Sequence, residues 1–329
     1  MKKLINHVDT ALDESLDGFA AAHSDIVTLG AGRQFVRRRT LKAGKVALIS
    51  GGGTGHEPLH TGFIGHGMLD AACPGQVFTS PTPDQMLAAA DAVDTGAGVL
   101  FIVKNYSGDM MNFQMAAEML DRDNASVIIN DDVAVENSTY TTGRRGVAGT
   151  LIVERIVGAA AERGDSLADL KALGDAINKG TASMGVALTS CTVPAAGQPT
   201  FQIGIDEMEM GVGIHGEPGR RRVKLASATD IAAELTGAVL KDLSLQRGQE
   251  VILLVNGFGG TPLLELYLMV NAAHKVLAGA GVKAVRHLTG SYVTSLEMAG
   301  CSITVSVADA PTLALWDAPL HTAALRWGM

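Results

Sequence analysis

Short apolar runs alternate with amphipathic stretches over the first half of the chain. The runs are KVALIS, GVLFIV and SVIIN, and each ends in a turn rich in Gly, Asn, Asp or Ser. Because consecutive positions are apolar, they predict strands buried on both faces, as in a parallel sheet. The stretches between them, DQMLAAADAV and NFQMAAEML, have a helical period. Strand, loop and helix thus alternate over about residues 45–165, which predicts a doubly wound, mostly parallel α/β domain.

The pattern changes after about residue 183. MGVALTSCTV and FQIGIDEMEMGVGI are strand-like and lie close together, and ATDIAAELTGAVL has a helical period. VILLVNGFGG and SITVSVAD add strands, while LLELYLMVNAAHKVLAGAG predicts a helix that ends at glycine. The second half therefore predicts a smaller α+β domain with a mixed sheet.

Length and composition agree with two domains. The 329 residues exceed the usual single-domain size, and 47% of them are hydrophobic, which is enough for a large core. MKKLINHVDTALDESLDG predicts an amphipathic first helix rather than a signal peptide, because acidic residues follow at once. No uncharged apolar run reaches the length of about 18 residues that a membrane span requires, so none is expected.

Charge and cysteine content narrow the function classes. A net charge of -8 and a pI near 5.6 argue against a nucleic-acid or anionic-membrane surface, which normally needs clustered Lys and Arg. Cys73, Cys191 and Cys301 lie far apart without CxxC spacing, so neither a disulfide framework nor a thiolate metal site is indicated. A reducing, cytoplasmic location is expected, with small molecules or other proteins as partners.

A glycine-rich segment, SGGGTGHEP, directly follows the first predicted strand. Glycines let backbone N–H groups approach a ligand closely. A nucleotide loop is not expected, because GxxxxGK[ST] is absent and His56 follows the last glycine. His56 to His60 match HExxH formally, but Pro58 suits only a first helical turn, so His56 would lie outside a helix that begins there. The segment predicts a histidine that holds a small polar ligand, with a turn-stabilising His56 as the alternative.

Polar residues also follow the next two predicted strands. KNYSGD offers the Lys104 cation to a substrate oxygen and the Asp109 carboxylate to a proton, with N-capping as the alternative for Asp109. Asn130-Asp131-Asp132 offers hard oxygen ligands that suit Mg²⁺, although two adjacent aspartates also make a capped turn. No metal ligand is assigned to this chain.

One further histidine, His215, stands among glycines in GVGIHGEPG. A neutral imidazole nitrogen is a nucleophile, and small neighbours let a carbonyl carbon come within bonding distance. From the residues alone, a turn histidine remains the alternative.

Four motifs, SGGGTGHEP, VKNYSGD, TTGRRGVAGT and VGIHGEPG, together resemble the substrate-binding subunit of dihydroxyacetone kinase, and the likeness runs from MKKLIN to LWDAPLHTAALRWGM. The resemblance implies a covalent hemiaminal between His215 and the ketone carbon of dihydroxyacetone. It makes His56 and Asp109 the acid/base candidates. The implied substrate-binding residues are Gly53, Thr54, Gly55, His56, Lys104, Asp109 and His215.

The resemblance also implies an organisation for the chain. It places an N-terminal domain at 1–180 plus 310–329 and a second domain, which carries His215, at 181–309. Trp316 and Trp327 would fix the returning C-terminal segment, and the chain would form a homodimer.

Activity and partners follow from the same resemblance. The chain would be a phosphotransferase subunit without a cofactor of its own, and ADP and Mg²⁺ would sit on a separate DhaL-like nucleotide-binding subunit. A DhaM-like subunit of the phosphoenolpyruvate-dependent phosphotransferase system would recharge that partner, although the sequence does not distinguish this route from ATP. The product would be dihydroxyacetone phosphate. The alternatives are a non-catalytic dihydroxyacetone-binding coactivator of a transcription regulator and a kinase subunit for a four-carbon ketose such as erythrulose.

Overall fold

The computed structural model of the chain describes residues 2–134, 141–217 and 219–329, so Pro218 of the last motif lies outside the described residues. Contacts divide the described residues into two compact units. The first draws on Met1–Ile128, Val153–Ala176 and Ala314–Met329, and the second on Ile129–Ile152 and Ile177–Leu313. The boundaries that the resemblance implied stay a prediction, since compactness does not establish which segments fold independently.

Seven strands lie within residues 2–129. They are β1 (Val27–Leu29), β2 (Val36–Arg38), β3 (Ala47–Thr54), β4 (Gly65–His66), β5 (Ala71–Val77), β6 (Val99–Lys104) and β7 (Asn124–Ile129). All except β4 form one sheet in the order β1-β2-β5-β3-β6-β7. β3 pairs in parallel with both β5 and β6, while β1 and β2 add an antiparallel edge. The predicted parallel-rich α/β architecture is confirmed.

Helices cover this sheet through an apolar core. They are α1 (Ala11–Ala22), α2 (Pro83–Val93), α3 (Ser107–Met119), α4 (Gly149–Arg163) and α5 (Leu167–Lys179). Met86 of α2 and Phe113 of α3 pack in one cluster with Ile49 and Phe101 of the sheet. α3 begins five residues before the predicted NFQMAAEML, with Tyr106 as its N-cap. Asp109 therefore lies inside the first turn of α3 instead of capping it.

The second unit is built on a mixed sheet. Its elements are β8 (Thr181–Ala187), β9 (Glu207–Met210), β10 (Arg221–Lys224), α6 (Ala228–Leu243), β11 (Glu250–Gly257), α7 (Leu263–Ala280), β12 (Lys283–Gly290) and β13 (Gly300–Val307). The strand order is β10-β9-β8-β13-β11-β12. β11 and β12 are parallel, whereas β13 pairs antiparallel with β11 and β8, and β9 pairs antiparallel with β8 and β10, which confirms the predicted mixed sheet.

In the second half, α7 ends as predicted, but the strand before His215 is shorter than predicted. α7 ends as expected, with Gly281 in the left-handed conformation at φ 77°. FQIGIDEMEMGVGI was predicted to be strand-like throughout, but only Glu207–Met210 is a strand. Gly211 has a φ of 77°, and its amide bonds to Gly185 O as the chain turns away from the sheet. This turn starts the segment that carries His215.

The C-terminal segment packs within the first unit. It contains α8 (Ala310–Asp317), β14 (Leu320–Thr322) and β15 (Arg326–Trp327), and β14 pairs with both β4 and β15. The buried Arg155 of α4 donates hydrogen bonds to Trp316 O, and its guanidinium lies 5.1 Å from the centre of the Trp327 ring. These contacts attach both tryptophans to α4.

From the sequence, neither a membrane-spanning helix nor a disulfide framework was expected. Among the described helices, none combines the length and apolar character needed to cross a bilayer. Cys73, Cys191 and Cys301 are all buried and form no disulfide. Burial raises the pKa of Cys301 to about 12 and that of Cys73 still further, so these thiols stay protonated at neutral pH.

Candidate active site

The glycine run is the end of strand β3 rather than a loop after it. Gly51, Gly52 and Gly53 pair with Cys73, Pro74 and Gly75 of β5, and the turn starts only at Gly55. A Cβ at Gly52 would lie 2.3 Å from Lys104 Nζ, and one at Gly53 would lie 2.6 Å from the Thr79 backbone nitrogen. Glycine is therefore required at Gly53, where the neighbour is backbone, whereas at Gly52 it leaves space for the Lys104 ammonium group.

The segment after β3 brings two histidine rings into the interior. His56 is 1% exposed and stacks on Phe78 with 5.0 Å between ring centres. His60 is 5% exposed, and its Nε2 lies 2.8 Å from Lys104 Nζ. The helix predicted to begin near Pro58 does not form, since residues 57–60 are turns and only the short 3-10 helix Thr61–Phe63 follows. Glu57 turns back to accept a hydrogen bond from Gly55 N at 3.0 Å, so HExxH is not arranged as in a zinc protease.

Lys104 and Asp109 lie together at the carboxyl end of β6. β3 and β6 are parallel, so the glycine run and Lys104 occupy the same edge of the sheet. Lys104 Nζ donates to Gly51 O at 3.2 Å and lies 3.7 Å from Asp109 Oδ2. Both side chains are almost fully buried, and Asp109 Oδ1 has no hydrogen-bond partner in the described part of the chain. A buried carboxylate with an open oxygen is suited to accept a proton from a bound hydroxyl.

A second carboxylate, that of Glu154, contacts the His60 ring on the side opposite to Lys104. Glu154 Oε1 of α4 lies 2.6 Å from His60 Nδ1, and Ser50 Oγ lies 3.0 Å from the same nitrogen. No sequence motif pointed to Glu154, because it lies 94 positions from His60 along the chain.

Asp131 and Asp132 are structural in the second unit. Asp131 accepts hydrogen bonds from Val147 N at 2.8 Å and Gly149 N at 2.7 Å, and therefore caps the start of α4. Asp132 accepts from Arg145 Nε at 2.7 Å. This is the capped-turn alternative, because donors already occupy the oxygens that Mg²⁺ would need. No cluster of three or more His, Cys, Asp or Glu with metal-binding geometry occurs within residues 2–134, 141–217 and 219–329.

His215 of the second unit is held by an acid two residues further on. Glu217 Oε1 lies 3.0 Å from His215 Nδ1, and Glu217 Oε2 accepts from the His215 backbone N–H at 3.0 Å. Burial alone would raise the pKa of Glu217, but the charge and hydrogen bond of His215 and the Arg145 cation outweigh it and hold the pKa at about 2. In the neutral ring a proton on Nδ1 faces the ionised Glu217, and Nε2 of His215 then keeps its lone pair. The His215 side chain is 17% exposed, so a ligand can reach the ring.

After His215, Arg145 adds a second positive charge that lowers the pKa of the buried Glu217. It is fully buried, pairs with Asp132 at 2.6 Å and donates to Gly211 O at 2.7 Å. A Cβ at Gly213 would lie 1.9 Å from Glu217 Oε2 and 2.7 Å from Arg145 Nη1. The glycine that precedes Ile214 thus leaves room for the pair, a reason that differs from the predicted ligand access. The motif TTGRRGVAGT contained Arg145, but the sequence assigned no role to it.

The lowered pKa of Glu217 predicts that the folded protein loses stability as the pH becomes acidic. Its pKa falls from 4.5 in an unfolded chain to about 2, so its stabilisation is fully present above pH 4.5 and is lost as the pH falls towards 2. We expect the stability advantage of the unmodified protein over Glu217→Gln to shrink by about 2 kcal/mol between pH 6 and pH 3. Urea unfolding at both pH values measures this. The surface variant Glu234→Gln serves as the control, and an advantage that does not depend on pH would contradict the assignment.

The structure places the sequence candidates in two groups. His56, Lys104 and Asp109 belong to the first unit with Gly53, Thr54 and Gly55, and His215 belongs to the second. Thr54 Oγ1 donates to Gly75 O at 2.6 Å, which fixes its side chain to β5.

Comparison with known proteins gives consistent matches over almost the whole chain. The Dak1 domain model matches residues 17–324. The chain is 50% identical over 308 residues to the PTS-dependent dihydroxyacetone kinase 1, dihydroxyacetone-binding subunit DhaK, of Listeria innocua, covering 93% of this chain and 94% of that protein. It is 49% identical to the PEP-dependent dihydroxyacetone kinase, dihydroxyacetone-binding subunit DhaK, of Escherichia coli K12, with 100% of both chains covered.

Solved structures give the same result. The fold matches the dihydroxyacetone kinase operon co-activator Dha-DhaQ with a TM-score of 0.90 and 32% identity, covering 94% of this chain and 97% of that chain. The resemblance seen in the four motifs is thereby confirmed: the chain belongs to the Dak1 domain family, together with the dihydroxyacetone-binding subunits of dihydroxyacetone kinases.

Proposed function

We propose that this chain is the dihydroxyacetone-binding subunit of a dihydroxyacetone kinase, and that it holds its substrate covalently on His215. The observation that carries the proposal is the pairing of a reachable imidazole with the buried, ionised Glu217. Relatives at 50% and 49% identity that are named as such subunits support it.

His215 would form the bond through Nε2. The nitrogen lone pair adds to the carbonyl carbon, the C=O π electrons move to oxygen, and that oxygen takes up a proton from solvent to give a hemiaminal. The ring then carries a positive charge, with its remaining proton on Nδ1 facing Glu217 at 3.0 Å. The carboxylate therefore stabilises the product of addition more than the neutral ring, as catalysis requires.

The first unit would supply the acid/base groups. Asp109 would accept the proton of the hydroxyl that is phosphorylated, and Lys104 would bind a substrate oxygen as a cation. His56 is the second acid/base candidate, and the backbone of Gly53 to Gly55 completes the substrate-binding set. A fixed adduct would hold one hydroxyl in position for in-line attack on phosphorus.

A separate nucleotide-binding subunit would deliver the phosphoryl group, with ADP and Mg²⁺ held by that partner. Relatives named as PTS-dependent or PEP-dependent support recharging by a phosphotransferase-system subunit. The product would be dihydroxyacetone phosphate. The part of this chain would be to bind, orient and deprotonate the substrate.

If the substrate is bound covalently, substrates should be distinguished by the presence of a carbonyl group rather than by their size. Glycerol matches dihydroxyacetone in its hydroxyl pattern but has no carbonyl carbon for His215 to attack. We expect phosphorylation of glycerol to be at least about 100-fold slower at equal concentration, the discrimination expected when a site loses a required bond. Turnover assays with both substrates measure this, and comparable rates would contradict the covalent role.

A second function is favoured by one observation, the structural match to a co-activator. A coactivator would bind dihydroxyacetone without turning it over. Turnover with a purified nucleotide-binding kinase subunit separates the two functions, because a kinase subunit yields dihydroxyacetone phosphate and a coactivator yields none. The sequence relatives at 50% and 49% identity, which are named as kinase subunits, support the kinase. Running the assay with erythrulose as well reports the preferred chain length.

A further inference from the structure

One buried acid in the first unit is not explained by substrate binding. Glu154 is fully buried, and its Oε2 has no hydrogen-bond partner among the residues that the structure describes. A buried carboxylate with an unsatisfied oxygen costs free energy that a well-packed apolar residue would avoid. Stability alone therefore does not account for Glu154.

Glu154 connects to Lys104 through a single imidazole ring. Its Oε1 lies 2.6 Å from His60 Nδ1, and His60 Nε2 lies 2.8 Å from Lys104 Nζ. Ser50 donates to Ile102 O at 2.7 Å, so its oxygen is free to accept from His60 Nδ1 at 3.0 Å. On its other side Lys104 lies 3.7 Å from Asp109. One cation thus stands between two carboxylates, one in direct reach and one reached through His60.

Donor direction fixes the protons in this chain of contacts. An ammonium group only donates, so Lys104 requires His60 Nε2 as an acceptor, and a neutral ring then carries its proton on Nδ1. That N–H faces Glu154 Oε1 at 2.6 Å and Ser50 Oγ at 3.0 Å, and Glu154 is the nearer acceptor. Burial, followed by the positive charges of Lys104 and His56, holds the pKa of His60 well below 6.5, so the ring is neutral.

Burial of Glu154 opposes its ionisation, because it raises the pKa of this carboxyl to about 8 against the effect of the Lys104 cation. Oε1 accepts the Nδ1 proton in either state of Glu154, because a proton on this carboxyl can lie on Oε2, which has no hydrogen-bond partner among the described residues. Charge sharing with Lys104 requires the ionised form, which the Lys104 cation favours against the effect of burial.

We propose that His60 and Glu154 are positioning residues, a hydrogen-bond relay that shares the charge of Lys104 between two carboxylates and keeps Asp109 a strong base. The titratable groups that face the relay are Lys104 from β6, Asp109 from α3 and His56 from the turn after β3. Without the negative charge of Glu154, the Lys104 cation would act on Asp109 alone. It would then stabilise the ionised form of Asp109 and weaken it as a proton acceptor.

The proton positions can be tested without any substrate. Nitrogen NMR of the intact protein with isotope-labelled histidine distinguishes ring nitrogens that carry a proton from those that do not, and loss of the signals in His60→Gln identifies His60. We expect a proton on Nδ1 and none on Nε2 between pH 6 and pH 7.5. A proton on Nε2, or on both nitrogens, would overturn the relay.

The effect on catalysis is tested by changing one charge. This kinetic test rests on the proposed function, in which Asp109 accepts the proton of the substrate hydroxyl that is phosphorylated. In Glu154→Gln we expect the acidic limb of the kcat profile to move by about one pH unit towards lower pH, and the plateau to fall about three- to tenfold. Glu154→Asp retains the charge and should restore most of the wild-type profile.

Glu162→Gln is the matched control, since Glu162 lies on the same helix but pairs with Arg38. Its acidic limb should coincide with that of the unmodified protein. An unmoved limb in Glu154→Gln, or an equal shift in Glu162→Gln, would overturn the charge-sharing role. If the unmodified protein with its nucleotide-binding partner gives no product, the proposed function fails, and the NMR result still tests the proton positions that the relay requires.

Discussion

Replacing His215 with alanine should abolish the covalent adduct and reduce phosphorylation of dihydroxyacetone by at least about 10³-fold. The adduct converts a small, mobile ketone into a group fixed at one atom, and such fixation supplies several kcal/mol of the barrier lowering in oriented reactions. Glu217 would lose its ring partner, although its backbone contact at residue 215 would remain. Steady-state kinetics with the partner subunit measures the loss.

Binding should be recorded on the same protein. Dihydroxyacetone labelled at its carbonyl carbon should show a tetrahedral carbon signal with the unmodified chain and only the free ketone with His215→Ala. His287→Ala removes an exposed histidine from β12 of the same unit and should change neither result. A tetrahedral signal that survives in His215→Ala would move the attachment point to another side chain.

Replacing Asp109 with asparagine should separate binding from phosphorylation. The amide keeps the size of the side chain but cannot take the hydroxyl proton. We expect the adduct to form as before, while phosphorylation falls by roughly two to four powers of ten, the usual range for loss of a general base. The carbonyl-carbon signal and turnover, measured on one preparation, give the two quantities.

Asp84→Asn is the matched control, because Asp84 is an exposed acid in the first turn of α2, the position that Asp109 has in α3. It should leave turnover unchanged. Unchanged turnover in Asp109→Asn would remove Asp109 from the mechanism, and loss of the adduct signal would make it a binding residue instead.

The parts of the site that the sequence revealed are those held by local geometry. At Gly52 and Gly213, a Cβ would collide with a polar side chain of the site. The glycine motifs therefore mark the places where these polar side chains lie. Parallel strands bring their carboxyl ends to one edge, which is why Lys104 and the glycine run could be expected to be neighbours.

The parts that the sequence did not reveal depend on contacts between distant segments. Glu154 meets His60 across 94 positions and Arg145 meets Asp132 across 13, and no motif spacing predicts either contact. β12 was missed because its residues are mostly only partly buried and it pairs with β11 at the edge of the sheet, so it lacks a continuous apolar run. The end of β3 was misplaced because a run of glycines predicts a turn, yet pairing with β5 holds it extended.

The central claim concerns one bond between His215 and a ketose. A crystal structure of the chain with dihydroxyacetone tests it most directly. We predict continuous density between Nε2 of His215 and the middle carbon of the ligand, which should be tetrahedral. A planar, intact carbonyl at van der Waals distance from the ring would contradict the account.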